Sequence, residues 1–103
     1  MAKIIDISSK LSDEKPVIKM NGKSYSVDNC MDTVFKFEEL SAEGAREKMT
    51  EAVKISLGEE FLVDTKVEKM SIPNFKVLMI AIMAAMQDME YEEAESRFHK
   101  IKS

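Results

Sequence analysis

The residues Val77 to Gln87 (VLMIAIMAAMQ) run for eleven positions without a charge. A helix with this sequence is apolar on every side, so it has to be covered on every side. At 1.5 Å per residue it spans only about 16 Å of a bilayer core ~30 Å thick, too little to cross a membrane. It therefore predicts a central core helix or an interface helix in a chain of 103 residues, which is the length of one domain. The 45% apolar content is enough for a packed core, and the 33% charged residues exceed the ~25% of an average globular chain.

Charge is distributed unevenly. Residues 1–27 hold five bases and three acids, whereas residues 28–103 hold ten and sixteen, for a net charge of −4 overall. An acidic body repels nucleic acid phosphate, which is bound mainly through Lys and Arg, so no nucleic acid partner is expected. Cys30 is the single cysteine and can form neither an internal disulfide nor a Cys-rich zinc site, which suits a reduced, cytoplasmic chain. Met1 to Ser12 lacks an apolar secretory core, because Asp6, Ser8 and Ser9 interrupt the Ile4-Ile5-Ile7 group.

The pattern predicts an α+β domain over residues 1–103, with a β-hairpin region at 1–27 and a helical body at 28–103. Lys3 to Ile7 suits a short strand, and the polar stretch Ser8 to Pro16 a loop. Asn21-Gly22 then lies between Val17-Ile18-Lys19-Met20 and Lys23-Ser24-Tyr25-Ser26-Val27, a strong hairpin signal because both residues tolerate the positive φ of a type I′ turn. The N-terminal sheet is thus a strand pair or a three-stranded sheet, with Tyr25 and Val27 on its buried face.

Four to five helices follow. The first has Asp28 or Asn29 as N-cap and runs to about Leu40, with Met31, Val34, Phe35 and Glu38 at i, i+3, i+4, i+7 and with Phe37 and Leu40 widening its apolar surface. A second spans Ser41 to Leu57, with Ala45, Met49, Ala52, Val53 and Ser56 inward and Gly58 as the stop. Glu59 to Met70 fits a short helix through Val63, Val67 and Met70, although its β-branched residues dilute the propensity. Ser71 caps a fourth helix that has Pro73 in its first turn and ends near Asp88. Tyr91 to Ile101 forms the last, with Tyr91, Ala94, Phe98 and Ile101 on one face and Glu92, Glu93, Glu95, Arg97 and Lys100 outside.

On the fourth helix Met79, Met83 and Met86 form a stripe that Phe75, Ile82 and Met89 widen, beside a small-residue face of Ala81, Ala84 and Ala85. Flexible thioethers fill core gaps, and they also suit surfaces that accept varied apolar partners. Phe75, Met79, Ile82, Met83 and Met86 are therefore candidate protein-binding residues, with Phe98 and Ile101 as second choices. No catalytic, cofactor-binding or metal site is expected. His99 is the only histidine and lies far in sequence from Cys30, and Glu90, Glu92, Glu93 and Glu95 spread around a helix start that favours acids. Gly22, Gly44 and Gly58 read as turn, early-helix and cap residues and form no phosphate loop. An enzyme is not expected.

Two stretches resemble the small tail assembly chaperones of long-tailed phages and prophages of Gram-positive bacteria. They are MAKIIDISSKLSDEKPVIKMNGKSYSVD, Met1 to Asp28, and FKVLMIAIMAAMQDMEYEEAESRFHK, Phe75 to Lys100, together about half the chain. The resemblance lies in the pairing of a hairpin with an Ala/Met-rich helix, and it leaves 29–74 aside. It implies a non-enzymatic protein of the host cell cytoplasm, absent from the mature virion. Such a protein coats the tape measure protein during tail assembly, forms homo-oligomers, and in many phages has a longer form made by ribosomal frameshifting. An alternative is a structural tail or connector protein. A more distant one is a small DNA-binding regulator, because a hairpin beside short helices also describes winged-helix proteins.

Overall fold

The hairpin forms where Asn21-Gly22 predicts it. In the computed structural model, which describes residues 2–12 and 14–102 and side chains up to Phe98, Asn21 and Gly22 take φ of 53° and 81°. They join β1 (Val17–Met20) to β2 (Lys23–Ser26) in antiparallel register, with Met20 opposite Lys23 and Val17 opposite Ser26. Tyr25 and Val27 turn inward and Ser24 and Ser26 outward, so the sheet has one wet face. Tyr25 packs edge-on against Phe61 with centroids 4.8 Å apart, and its hydroxyl donates to Asp64 at 3.2 Å.

The sheet has two strands, not three. Lys3 to Ile7 forms no strand, and Ile4, Ile5 and Ile7 are 90%, 70% and 54% exposed. The Asp6 carboxylate accepts the Ser8 amide at 2.9 Å, and the chain bends into a 3-10 turn at Ser8–Lys10 before it could return beside β1.

Five helices follow: α1 (Met31–Glu43), α2 (Arg46–Leu57), α3 (Glu59–Thr65), α4 (Ile72–Met86) and α5 (Tyr91–Lys102). The architecture is α+β. Cys30, not Asp28 or Asn29, is the N-cap of α1; the Asp28 carboxylate instead accepts the Cys30 amide and the Thr33 hydroxyl, each at 3.0 Å. The inner face of α1 is also turned from the expected stripe. Phe37 and Leu40 are buried, whereas Met31 and Phe35 are 72% and 61% exposed. Phe37 and Leu40 put two large side chains on one face, and the Met31–Phe35 stripe ends in the charged Glu38.

The break between the first two helices falls three residues later than the pattern suggested. Gly44 takes φ of 71°, a left-handed cap that ends α1, and Ala45 is the N-cap of α2. Ala45 is exposed and Met49 half-buried, while Ala52, Val53 and Ser56 are buried as expected. The Ser56 hydroxyl donates to the Ala52 and Val53 carbonyls at 2.9 and 3.0 Å, so its burial leaves no polar atom unpaired. After α3 the chain continues as a 3-10 turn at Val67–Lys69, which buries Val67 but leaves Val63 70% exposed.

The Ser71 hydroxyl accepts the Asn74 amide at 3.2 Å and starts α4 as predicted, although the helix ends at Met86 and not near Asp88. Its all-round apolar surface is resolved by two cores on opposite faces. Leu78, Met79, Ile82 and Met86 join a main core with Val27, Phe37, Leu40, Ala52, Val53, Leu57, Phe61 and Val67. Ile80 and Ala84 join a smaller one with Ala94 and Phe98 of α5. The molecule measures 60 × 32 × 23 Å, with a radius of gyration of 15.5 Å against ~13 Å for a compact chain of this size. No helix among the described residues is long and apolar enough to cross a membrane.

Candidate functional site

The methionine stripe does not form an open contact surface. Met79, Ile82 and Met86 are 2%, 0% and 8% exposed, and Phe98 is 8% exposed. They are core because α4 is enclosed from both sides, a tertiary arrangement that helical spacing alone does not reveal. Met83 is half-buried against α5, and Ala84 takes the close helix contact expected of the small-residue face. The side chains of Ile101 and His99 lie outside the described residues.

Phe75 is the expected residue that opens onto an accessible apolar site. It is half-buried on the first turns of α4 and lines a cleft of about 770 Å³. Met49 comes from α2, Val67 and Met70 from the connection between α3 and α4, and Ile72 from the start of α4; Phe98 lines the cleft from α5. Sequence reading placed Met49 and Met70 on helix faces but did not bring them together. The Ser71 cap was a usable signal for the α4 end of the cleft, since it fixes Ile72 and Phe75 on a first turn. Nothing local in the sequence says that α2 lies opposite.

The cleft is apolar inside and charged at its rim. Arg46 of α2 and Glu68 of the 3-10 turn form an ion pair at 3.3 Å, with side chains 75% and 60% exposed. A pair so open to water contributes well under about 1 kcal/mol. Its effect is to place charges of both signs beside the opening, where Lys76 adds a second cation. Such a site can bury apolar side chains and orient charged ones. Among the described residues no three His, Cys, Asp or Glu side chains gather as metal ligands.

The clearest electrostatic feature lies elsewhere, where the hairpin meets α3. Lys23 Nζ is 2.7 Å from an Asp64 carboxylate oxygen, with Glu60 at 3.8 Å. The Lys23 hydrogen bond holds the Asp64 carboxyl below its ordinary range, and the Asp64 carboxylate raises Lys23. Partial burial, then the Asp64 hydrogen bond, raises Tyr25. This cluster clips the hairpin to α3. Asp28 is lowered by the Cys30 amide it accepts, and Cys30 is raised by the same carboxylate, which leaves that exposed thiol a poor nucleophile. Compared against known proteins, the chain matches no family model, no curated protein and no solved structure.

Proposed function

We propose that the protein is a non-enzymatic assembly chaperone of a long-tailed phage or prophage, acting in the host cytoplasm. In this reading it covers apolar helical segments of the tape measure protein, self-associates, and is left out of the finished virion. The observation that carries it is the convergence of Met49, Met70, Ile72 and Phe75 on one apolar cleft with charges of both signs at its rim. A tape measure protein is a long helical rod whose apolar seam needs temporary cover. An amphipathic helix docks by laying such a seam into an apolar groove while its polar flanks meet the rim, and thioethers adapt to successive turns of different shape. The resemblance of the two terminal stretches points to this client, and the apolar cleft is the feature that supports the reading.

The test is co-purification with the tape measure protein encoded in the same genome. Ile72 is 73% exposed, so Ile72→Asp should leave the fold intact. It should weaken client binding at least tenfold, about 1.4 kcal/mol. Phe35→Asp, on an exposed face of α1 away from the cleft, should bind as the parent does. Equal binding by all three chains would refute the cleft as the client site. Recovery of the protein in stoichiometric amounts from purified virions would refute the chaperone role in favour of a structural one.

A further inference from the structure

Two features of the hairpin region are incomplete in one copy. Lys3 to Ile7 carries three isoleucines that are 54% to 90% exposed, and β1 pairs on one edge only. An apolar segment of strand character and an unpaired strand edge are each liabilities that proteins cover. We propose that Lys3 to Ile7 of one copy adds as a third, parallel strand to the open edge of β1 in a second copy. The inference rests on the self-association in the reading above and is independent of the client.

The register argues for this pairing. With an offset of thirteen residues, Ile5 and Ile7 lie beside Ile18 and Met20, the half-buried face of β1 that packs on the core. On the other face Ile4 lies beside Val17, itself 51% exposed, and Asp6 lies beside Lys19 with opposite charge. All four positions are matched at once, and both faces keep their character.

The same pairing within one chain is barred by length. Only residues 8–16 separate Ile7 from Val17, nine positions that already contain the 3-10 turn, whereas a parallel crossover takes a dozen residues or more. Folding back antiparallel with Asp6 opposite Lys19 leaves Ile4 beside Asn21, past the end of the strand and uncovered. A second copy meets neither limit. Reciprocal exchange covers Ile5 and Ile7 of each chain, the pair that lies on the core-facing side of β1.

The test uses full-length chains that carry Cys30→Ser. One also carries Asp6→Cys and the other Lys19→Cys, and the two are mixed and mildly oxidised. The expected product is a mixed-chain disulfide dimer, formed in excess over the homodimers of either chain alone. In parallel, Ile5→Asp with Ile7→Asp should reduce the mass measured by light scattering from oligomer to monomer with an unchanged far-ultraviolet dichroism spectrum. A monomeric parent chain overturns the proposal, as does a mixture of the two cysteine chains that gives no mixed dimer in excess over the homodimers. Oligomers that survive Ile5→Asp with Ile7→Asp overturn the strand exchange but leave self-association standing. Client binding through the cleft, measured on that same variant, reports separately on the chaperone reading.

Discussion

Ile82→Ala measures how completely α4 is enclosed. Ile82 is fully buried, on the helix face that joins the main core, where residues from the hairpin, α1, α2 and α3 meet. Truncating a buried Ile to Ala costs about 2 to 5 kcal/mol, with the higher values where the surroundings cannot collapse into the space. A wall built from several elements resists collapse, so the expected loss is about 3 to 4 kcal/mol. Total stability of a domain this size is about 5 to 15 kcal/mol, and each kcal/mol moves the melting temperature by roughly 4 to 8 °C. Ile82→Ala should therefore melt roughly 15 to 25 °C below the parent. Urea unfolding followed at 222 nm should show a lower midpoint with an unchanged slope, since the surface exposed on unfolding is nearly the same. Val77 is 51% exposed on the same helix, so Val77→Ala should stay within about 0.5 kcal/mol of the parent. A loss below about 1 kcal/mol for Ile82→Ala, or equal losses for the two variants, would refute the two-core enclosure of α4.

Two further outcomes follow from local geometry. Gly44 takes φ of 71° with no atom within 4 Å of where a Cβ would sit, so Gly44→Ala should cost about 1 kcal/mol from the backbone alone, and Gly44→Asn should recover part of it in thermal unfolding. Asp64 and Asp28 have depressed folded-state pKa values, so their contribution is present above the unfolded carboxylate pKa of about 4 and is lost as pH falls through the lower folded values. Lys23 and Tyr25 are raised, so theirs is complete below about 10 and is lost as pH rises through the folded values. Melting temperature against pH should therefore fall at both ends, and Asp64→Asn should flatten the acid limb.

Two signals held because each is complete within a few residues. Asn21-Gly22 needs only its own backbone freedom to define a hairpin, and Ser71 needs only the Asn74 amide three residues on to start α4. Errors arose where two local solutions compete. Gly44 fits an early helical turn as easily as a cap, and the choice depends on α1 and α2 folding back on each other. Ile4, Ile5 and Ile7 have strand character, but a strand also needs a connection that brings it to an edge, and residues 8–16 are too few for a parallel return to β1. The cleft was the least legible feature, because Met49 and Phe75 are separated by the whole of α3 and no periodicity links them.

The position of the cleft follows from how α4 is shared between its two cores. Burial on α4 begins at Leu78, and the turns before it, with Ile72, Phe75 and Val77, reach past the cover on either side. At the start of α2 the same thing happens. Arg46 to Lys48 are exposed, Met49 and Thr50 half-buried, and full burial begins only at Ala52. Two helices that each begin outside the core leave a gap between their first turns, and the 3-10 turn with Val67 and Met70 bounds it. The apolar excess that sequence reading found in the last third of the chain therefore faces solvent about two turns earlier than the Met79–Met86 stripe. A helix bound there would extend the main core outward from Met49 and Phe75 without disturbing Met79, Ile82 or Met86, so in the proposed reading client binding and folding would depend on different residues of one helix.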